Sequence, residues 1–339
     1  MKVSLNEFEA VTRRVIARYG YSESEVATIH AVLMYAQLRG NNQGVVKLIG
    51  PGIPRDPEAG TPSLVNETDV SAMIDGARNH AMVVVNDAVD TALTKATERG
   101  VGIVGVHHLN TSSGAIGYYA RRIAEQGMVG IVVAGAPPTV APEGSYKAIF
   151  GTNPLAIAVP STTGAVVLDM ATAAMALYGV IEAQTAGQPL PPDIAYDSEG
   201  RLTTDPAAAL TGALRTFDGG PKGSGLSFMV QALAGPLVGA AFAGVGDVAN
   251  NWGGHLVIAL DPELLGGRER MSAGVTAMSE RVKAAPPLPG VDEIAVPGEL
   301  GDRRARATVE AGEIEVEDNL YAELLQLGRE DEALPQTPA

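Results

Sequence analysis

Small hydroxyl residues and glycines are concentrated in residues 106–120, V-H-H-L-N-T-S-S-G-A-I-G-Y-Y-A. An apolar, strand-like run precedes this stretch at residues 101–106, and a helical pattern follows at residues 118–126. A strand that passes through serine and glycine into a helix start leaves backbone N–H groups without partners, and such an end binds anions. The stretch therefore predicts a turn that can hold an anionic group.

A second glycine-rich segment, G-G-P-K-G-S-G-L at residues 219–226, carries one lysine, Lys222, at the start of an apolar helical run. It is not a Walker A motif, because the spacing of G-x-x-x-x-G-K-[ST] is missing. A glycine loop with a lysine at a helix N-terminus can still hold a phosphate. A helix start with a solvated lysine explains the same residues equally well, and both interpretations stay open.

Metal and serine-hydrolase chemistry are disfavoured. The five histidines form no H-E-x-x-H pattern. His107 and His108 are adjacent, so on a strand their side chains point to opposite faces and do not share one metal ion. His255 opens an apolar run and is expected to be a structural hydrogen-bonding residue. No G-x-S-x-G elbow is present.

The bulk composition excludes several classes of protein. The chain has 339 residues, no cysteine and a net charge of −15, which disfavours nucleic acid and anionic lipid as partners. No uninterrupted apolar run is long enough to span a membrane, and the N-terminus lacks the apolar core of a signal peptide. We therefore expect a soluble, cytoplasmic protein. The short basic segment at residues 303–306 is the one local exception.

Alternating helical and strand patterns predict an α/β fold. Residues 4–19, a second segment starting at Ser22 and residues 81–99 have helical periodicity, whereas residues 128–134, 155–159, 165–168 and 255–260 are typical of buried strands. We expect residues 1–75 with 276–339 to form a helical lobe for substrate and dimer contacts, and residues 76–275 to form a sheet lobe that binds a cofactor. Residues 100–105 match G-x-G-x-x-G, but the helix precedes the strand there, so the match is not a Rossmann fingerprint.

Eight stretches together resemble one known family. They are G-x-x-G-Y-Y-A at 114–120, E-Q-G-M-V-G-I at 125–131, G-T-N-P-L-A-I-A-V-P at 151–160, L-D-M-A-T at 168–172, T-T-D-P at 203–206, G-G-P-K-G-S-G-L at 219–226, H-L-V-I-A-L-D-P at 255–262 and V-P-G-E at 296–299. In this order they resemble the malate/L-lactate/sulfolactate dehydrogenase family, which is unrelated to the Rossmann lactate dehydrogenases. Its relatives include ureidoglycolate dehydrogenase, diketogulonate reductase and the piperideine/pyrroline-2-carboxylate reductases.

The resemblance implies a mixed central sheet flanked by helices, a non-Rossmann site for NADH or NADPH, and a homodimer with shared active sites. It implies a small carboxylate as the substrate, with Thr152 and Asn153 among the residues that bind it. The positions that it assigns to the cofactor are Ser112, Ser113, Gly114, Ala115, Ile116, Asp169, Met170, Ala171, Lys222, Pro297, Gly298, Arg303 and Arg304. Arg303 and Arg304 would favour a 2′-phosphate, but the choice between the two nucleotides stays open.

The departures from the family pattern concern proton chemistry. The family usually has D-S-H-G-V-x-R-L where this chain has N-N-Q-G-V-V-K-L at residues 41–48. Gln43 stands at the usual proton-donating histidine, Asn42 at its serine partner, and Lys47 at the arginine that grips the substrate carboxylate. The family also has S-N-H-F-G where this chain has N-T-S-S-G, so Ser112 replaces a second histidine.

Reduction of a ketone by hydride creates an alkoxide that needs a proton, whereas hydride addition to a protonated imine gives a neutral amine. Because glutamine and serine do not donate a proton as imidazolium does, the replacements favour a cyclic imine over a 2-oxo acid as the substrate. Asp197 is the acidic residue that matches the family's substrate loop. His107 and His108, through a register shift, and Tyr118 and Tyr119, as weak acids, are the other candidates, although packing explains the tyrosines better.

Two further interpretations remain open. The scaffold could catalyse a non-redox reaction with Gln43, Asn42 and the serines as hydrogen-bond donors. Alternatively, it could bind the cofactor without dehydrogenase activity and serve as a regulatory subunit.

Overall fold

The computed structural model describes residues 1–49, 53–246 and 253–329. The polar tail that the sequence predicts to be disordered lies outside these residues from position 330 onward. The helices are α1 Leu5–Arg18, α2 Glu23–Leu38, α3 Ala81–Arg99, α4 Gly117–Ala124, α5 Leu177–Thr185, α6 Pro206–Thr211, α7 Pro221–Ala234, α8 Arg268–Lys283, α9 Glu299–Ala311 and α10 Asp318–Leu327. Short 3₁₀ turns cover Val45–Leu48, Pro236–Val238 and Pro262–Leu264.

A seven-stranded mixed sheet forms the centre of the molecule. The strands of the chain are β1 Lys2–Ser4, β2 Ser63–Glu67, β3 Ser71–Asp75, β4 Val101–His107, β5 Val129–Ala134, β6 Leu155–Ser161, β7 Gly164–Met170, β8 Ala195–Tyr196, β9 Ala213–Leu214, β10 His255–Leu260 and β11 Glu313–Glu315. The order in the large sheet is β2-β3-β4-β10-β5-β6-β7. Only β3 and β4 pair in parallel, whereas the other neighbours are antiparallel. The predicted mixed α/β fold is confirmed.

Helices cover both faces of this sheet, because its central strands alternate two sets of apolar side chains. On β10, Val257 packs into the larger hydrophobic core and Leu256 into a smaller core with α7; Val132 and Val133 of β5 divide in the same way. The larger core also holds residues of α1, α2, α3, α4 and α10. A third cluster lies around β8, β9, α5 and α6.

The helical hairpin at the N-terminus forms as the periodicity predicts. A capping box begins α2, where the Ser22 hydroxyl and the Glu25 backbone N–H pair, and the Glu25 carboxylate accepts from the Ser22 N–H. The similar S-x-x-E pattern at Ser4 forms no such bond, because Ser4 is part of β1 and pairs with Glu313 of β11. Strand pairing has replaced the cap at this position.

The G-x-G-x-x-G match is a helix end followed by a strand, as predicted. Gly100 ends α3 in the left-handed conformation, with φ of +83°. A Cβ atom on Gly102 would lie 2.0 Å from the Ala92 carbonyl oxygen, so this glycine allows α3 to pack closely on β4. The glycines therefore serve helix–sheet packing.

Three expectations from the sequence differ from the structure. Strands β2 and β3 belong to the large sheet, although they lie in the segment assigned to the helical lobe. Phe8 and Leu324 share one hydrophobic core with Val104 and Val257, so packing joins the two expected lobes. Alanine is frequent in residues 171–183 and predicts a helix over this segment. The helix begins only at Leu177, because the Thr172 N–H bonds to the Thr152 carbonyl at 2.9 Å instead.

Candidate functional site

A cavity of about 360 Å³ lies at one end of the large sheet. The carboxyl ends of β4, β5 and β7 and the amino ends of β6 and β10 meet there, because these five neighbouring strands run antiparallel to one another. The loop at 41–43 and the irregular segment at 173–176 close its sides. The chain therefore brings residues from distant parts of the sequence to one place.

Most of the positions that the family resemblance assigned lie around this cavity. The lining includes Asn42, Gln43, Ser112, Ser113, Gly114, Ala115, Ile116, Thr152, Asp169, Met170 and Ala171. These residues come from three loops and one strand end, and the first and last of them, Asn42 and Ala171, are 129 positions apart in the chain. Their convergence is a structural finding, whereas their individual roles stay predictions.

Lys47 lies behind this lining in the 3₁₀ turn and is fully buried. Its Nζ atom donates a hydrogen bond to Ser112 Oγ at 2.8 Å and lies 3.5 Å from the centre of the Tyr178 ring. Among the described residues, no carboxylate forms an ion pair with it. Burial lowers the pKa of Lys47 well below its ordinary value, since desolvation disfavours the charged amine.

Ser112 joins this lysine to the cavity. Its oxygen accepts one hydrogen bond from Lys47 and a second from the Gly114 N–H at 3.2 Å. A hydroxyl oxygen has two lone pairs and one proton, so the two donors fill its accepting capacity and leave its own O–H free to donate. Because Ser112 lines the cavity, this O–H is available to an acceptor bound there.

Two backbone N–H groups of the turn at 106–120 bond to the chain's own side chains. The Gly114 N–H donates to Ser112 Oγ, and the Gly117 N–H, at the start of α4, donates to Asp169 Oδ2 at 2.9 Å. These two groups are therefore not available to an external anion, and an anion site at this turn stays a prediction.

Asp169 is an unusual carboxylate at the boundary of the cavity. Burial raises its pKa to about 6, and the hydrogen bond from Gly117 opposes that rise. The same residue also lines a neighbouring cavity of about 220 Å³. Asp169 and Asn41 line both cavities, so the two cavities adjoin each other.

The neighbouring cavity contains the cationic groups that the first one lacks. Arg39 and Arg121 line it, and both form ion pairs with Asp302 of α9. The Arg121 Nε atom is buried and lacks a hydrogen-bond partner within the described chain. Pro297 and Gly298, which the resemblance assigns to a C-terminal cofactor loop, also line this cavity.

His255 is a cavity residue that sequence reasoning missed as a functional candidate. It begins β10, between β4 and β5, and neither of its ring nitrogens has a hydrogen-bond partner in the described residues. Burial lowers its pKa to about 4, so the ring is neutral at pH 7. The expected structural hydrogen bond from this side chain is absent there. Its place after two glycines was the only signal in the sequence.

The structure does not bring Asp197 to the cavity. Its carboxylate closes a surface turn, accepting from the backbone N–H groups of Glu199 and Arg201 and from the Arg201 guanidinium at 2.9 Å. The hydrogen bonds from Arg201 lower the pKa of Asp197. This carboxylate is already fully bonded and is a poor proton donor.

Asn153 and Lys222 also lie apart from the lining. Asn153 is fully buried, and its amide N–H₂ group donates to Ser227 and to Gln231 Oε1 of α7, at 3.0 Å for the latter. It therefore fastens α7 to the sheet. Lys222 is exposed in the first turn of α7. Its placement fits the solvated-lysine interpretation.

Arg303 and Arg304 are exposed on α9. Arg303 forms ion pairs with Glu293 and Glu299, and the Arg304 guanidinium lies against Gly40. Neither arginine lines the two cavities described above. Their assignment to a 2′-phosphate stays a prediction.

The remaining acid candidates do not line the first cavity. His108 pairs with Asp75 at 2.9 Å, and His107 lies near Gly239; neither lines the cavity. Tyr119 is fully buried, and its hydroxyl donates to the Ser113 carbonyl at 2.8 Å. Tyr118 packs edge-on against Tyr119. Packing is therefore the role of both tyrosines.

The described parts of the chain contain neither a metal site nor a membrane-spanning helix. No group of His, Asp and Glu side chains there is arranged to hold a metal ion. No described helix is long and apolar enough to cross a lipid bilayer.

Comparison with known proteins identifies relatives along nearly the whole chain. A family model described as malate/L-lactate dehydrogenase matches residues 3–325. The L-sulfolactate dehydrogenase of Methanothermobacter thermautotrophicus is 34% identical over 97% of both chains. Delta(1)-pyrroline-2-carboxylate reductase 1 of Burkholderia ambifaria is 33% identical over 96% of this chain and 97% of the relative. The ureidoglycolate dehydrogenase (NAD(+)) of Escherichia coli O157:H7 is 30% identical over 96% and 95%.

A solved structure shares the fold at the same level of similarity. The sulfolactate dehydrogenase from Methanocaldococcus jannaschii superposes with a TM-score of 0.80, at 31% identity and with 96% of each chain covered. The fold and the sequence comparisons thus point to the same group of proteins.

Proposed function

The chain belongs to the malate/L-lactate dehydrogenase family, and we propose that it is an NAD(P)H-dependent oxidoreductase that reduces a C=N or a 2-oxo group of a small carboxylate. The observation that carries this proposal is the cavity at the sheet end. It gathers Ser112, Asp169 and the loop at 41–43 beside a buried lysine.

The two joined cavities fit an elongated dinucleotide. The first has small and apolar side chains, Ala115, Ile116 and Ala171, suited to a flat ring. Asp169 lies between the cavities, where a carboxylate can accept a hydrogen bond from a ribose hydroxyl. The unpartnered Nε atom of Arg121 in the second cavity suits a phosphate oxygen. A reduced nicotinamide bound here supplies the hydride.

The substrate side of the cavity is polar but lacks a lining cation among the described residues. Gln43, Asn42 and Thr152 offer amide and hydroxyl groups, and Lys47 lies one hydrogen bond behind Ser112. These groups can orient a carbonyl or imine carbon and bind one carboxylate. Both kinds of substrate occur among the relatives, which include a sulfolactate dehydrogenase and a pyrroline-2-carboxylate reductase.

The test is oxidation of NADH and of NADPH in the presence of pyruvate, 2-oxoglutarate and cyclic ketimines. We expect one nucleotide to be oxidised with at least one of these substrates, and ketimines to be preferred. Fast turnover of ordinary 2-oxo acids would contradict the preference for an imine. Nucleotide binding without any turnover would favour a regulatory subunit, and product formation without nucleotide would favour non-redox catalysis.

We also propose a homodimer, with α7 at the interface. Phe228, Met229 and Leu233 lie on one face of this helix and are 57%, 59% and 40% exposed, and Leu237 follows at 59%. Covering such an apolar face stabilises an assembly. Light scattering should give the mass of a dimer, and Met229→Asp should shift it toward that of the monomer. A cytoplasmic location stays a prediction.

A further inference from the structure

Within the part of the chain that the structure describes, Lys47 is a buried amine without a carboxylate partner. It is completely buried, and no Asp or Glu of the described residues pairs with it. An unpaired ammonium in the interior lowers the stability of a protein, because desolvation is only partly offset by hydrogen bonds. A lysine in this position needs a role other than stability.

The Lys47 amine has two close contacts, and one of them leads to the cavity. On one side the Tyr178 ring lies 3.5 Å from Nζ and stabilises a cation through its π face. On the other side Nζ donates to Ser112 Oγ at 2.8 Å. Because the Gly114 N–H can only donate, it keeps the second lone pair of Ser112 filled. The Ser112 O–H can therefore donate a hydrogen bond to a molecule bound in the cavity.

We propose that Lys47 delivers, through Ser112, the proton that the substrate's oxygen or nitrogen takes up during reduction. This inference rests on the proposed function, since it needs hydride from a reduced nicotinamide. The assignment also explains how a site with Gln43 in place of a histidine can still reduce a ketone.

The step is balanced in atoms and electrons. Hydride from the dihydronicotinamide adds to the carbonyl carbon with both electrons, and the π pair moves to the oxygen. That oxygen forms a bond to the Ser112 proton, and Ser112 Oγ takes a proton from Nζ of Lys47. Lys47 is left as a neutral amine and regains a proton from water. With an imine, the same transfer forms the iminium before hydride adds.

The titratable groups around this pathway limit the alternatives. Tyr178 touches the amine, but burial raises its pKa to about 12, so it keeps its proton. The Tyr19 hydroxyl, just after α1, donates to the Leu48 carbonyl at 3.3 Å, next to the same turn. Asp169 and His255 line the cavity with Ser112. His255 is neutral at pH 7, but both of its ring nitrogens lack partners in the described chain, so it is the alternative donor that the variants must exclude.

Three variants separate the relay from other roles. Lys47→Met removes the proton source, and Ser112→Ala removes the link to the substrate. Lys47→Arg keeps a positive charge that does not dissociate at accessible pH. Lys95→Met is the matched control, because Lys95 is also largely buried but pairs with Glu67, away from the cavity. The full-length protein is used throughout.

We expect kcat for reduction to fall about 100-fold to 10,000-fold in Lys47→Met, Lys47→Arg and Ser112→Ala. In the two Lys47 variants the dissociation constants for NAD(P)H should stay within about threefold of wild type, because Lys47 does not line the cavity. A readout independent of turnover is the NMR titration of the lysine ¹³Cε signal that is missing from Lys47→Met. It should titrate well below an ordinary lysine, and lower still in Ser112→Ala, since the cation loses an acceptor.

Wild-type kcat and pH dependence in Lys47→Met would overturn the proposal. So would loss of the pH dependence in His255→Gln alone, which would assign the proton to His255. If wild-type protein oxidises neither nucleotide with any substrate, the proposed function fails. In that case an ordinary titration of Lys47 would overturn the coupling of Lys47 to Ser112 as well, whereas a depressed one that responds to Ser112→Ala would support it.

Discussion

Two buried lysines in this protein have opposite surroundings. Lys95 of α3 donates to Glu67 Oε1 at 2.9 Å and to the Thr68 carbonyl at 2.7 Å, and so ties the edge of the sheet to a helix. Lys47 has no carboxylate among the described residues, and its hydrogen bond leads to a cavity-lining serine. The Lys95 amine thus has its acceptors within the fold, whereas the Lys47 amine bonds to a serine that can contact a ligand.

This difference indicates where the chain has given up stability for chemistry. Polar groups that serve the fold have their partners within the fold, as with Lys95 and Asp197. Polar groups that serve a ligand keep a free donor or acceptor until the ligand binds. Ser112, His255 and Arg121 are of the second kind, and all three line the joined cavities.

The largest effect that we expect from this comparison is on turnover. Lys47→Met should lower kcat for NAD(P)H-dependent reduction by about 100-fold or more, because the proton source is lost. Lys95→Met should leave kcat within about twofold of wild type, because Lys95 pairs with Glu67 of the edge strand β2, away from the cavity. Steady-state rates of nucleotide oxidation measure both. Equal losses in the two variants would contradict the distinction.

The order of the two variants should reverse for stability. Lys95→Met should lower the free energy of unfolding by about 1–3 kcal/mol, since the Thr68 carbonyl loses its donor. Lys47→Met should leave it unchanged or raise it by up to about 3 kcal/mol, since an unpaired buried amine is replaced by an apolar chain of similar length. Urea unfolding at pH 7 measures both. A large loss of stability in Lys47→Met would show that Lys47 is a structural residue.

The contribution of Lys47 to the free energy of unfolding should also depend on pH, in a defined direction. Its pKa is depressed in the folded state, whereas the unfolded value is 10.5. Between these two values the unfolded chain binds a proton that the folded chain lacks, so the free energy of unfolding rises with pH, by up to about 1.4 kcal/mol per unit for this group. Unfolding curves at increasing pH should therefore bring wild type closer to Lys47→Met. A constant gap would argue against the depressed pKa.

The smallest effect concerns the ring beside the amine. Tyr178→Leu should remove about 0.5–2 kcal/mol of cation–π stabilisation and lower the pKa of Lys47 further, whereas Tyr178→Phe keeps the ring face and should change it little. The two variants are compared by the NMR titration of Lys47. Equal titrations in the two variants would mean that the ring does not stabilise the cation.

Local patterns were enough to predict much of the fold. Apolar periodicity located α1, α2, α3 and the central strands, and the order of helix and strand at Gly100 excluded a Rossmann motif. The departures came where tertiary bonds outweigh local preference. Alanines at 171–176 have high helix propensity, yet Thr152 and Thr216 hold this segment irregular by backbone pairing.

The site was predictable as a set of loops but not as a network of bonds. The motifs around Ser112 and Asp169 located two walls of the cavity. The sequence position of Lys47 suggested a residue that binds the substrate carboxylate. The sequence could not show that Lys47 is buried, because its contacts with Tyr178 of α5 and with Ser112 form only in the folded chain. His255 was undervalued for the same reason: the lack of a partner for its ring is a property of the fold.

The central claim is that Lys47, acting through Ser112, supplies the proton in a nicotinamide-dependent reduction. The most direct measurement is kcat for reduction of the best substrate as a function of pH, in wild type and in Lys47→Met. We predict that the wild-type rate falls about tenfold per pH unit above the depressed pKa of Lys47. The rate of the variant should be lower by about 100-fold or more at low pH and independent of pH in that range. A Lys47→Met profile that follows the wild-type curve would contradict the claim.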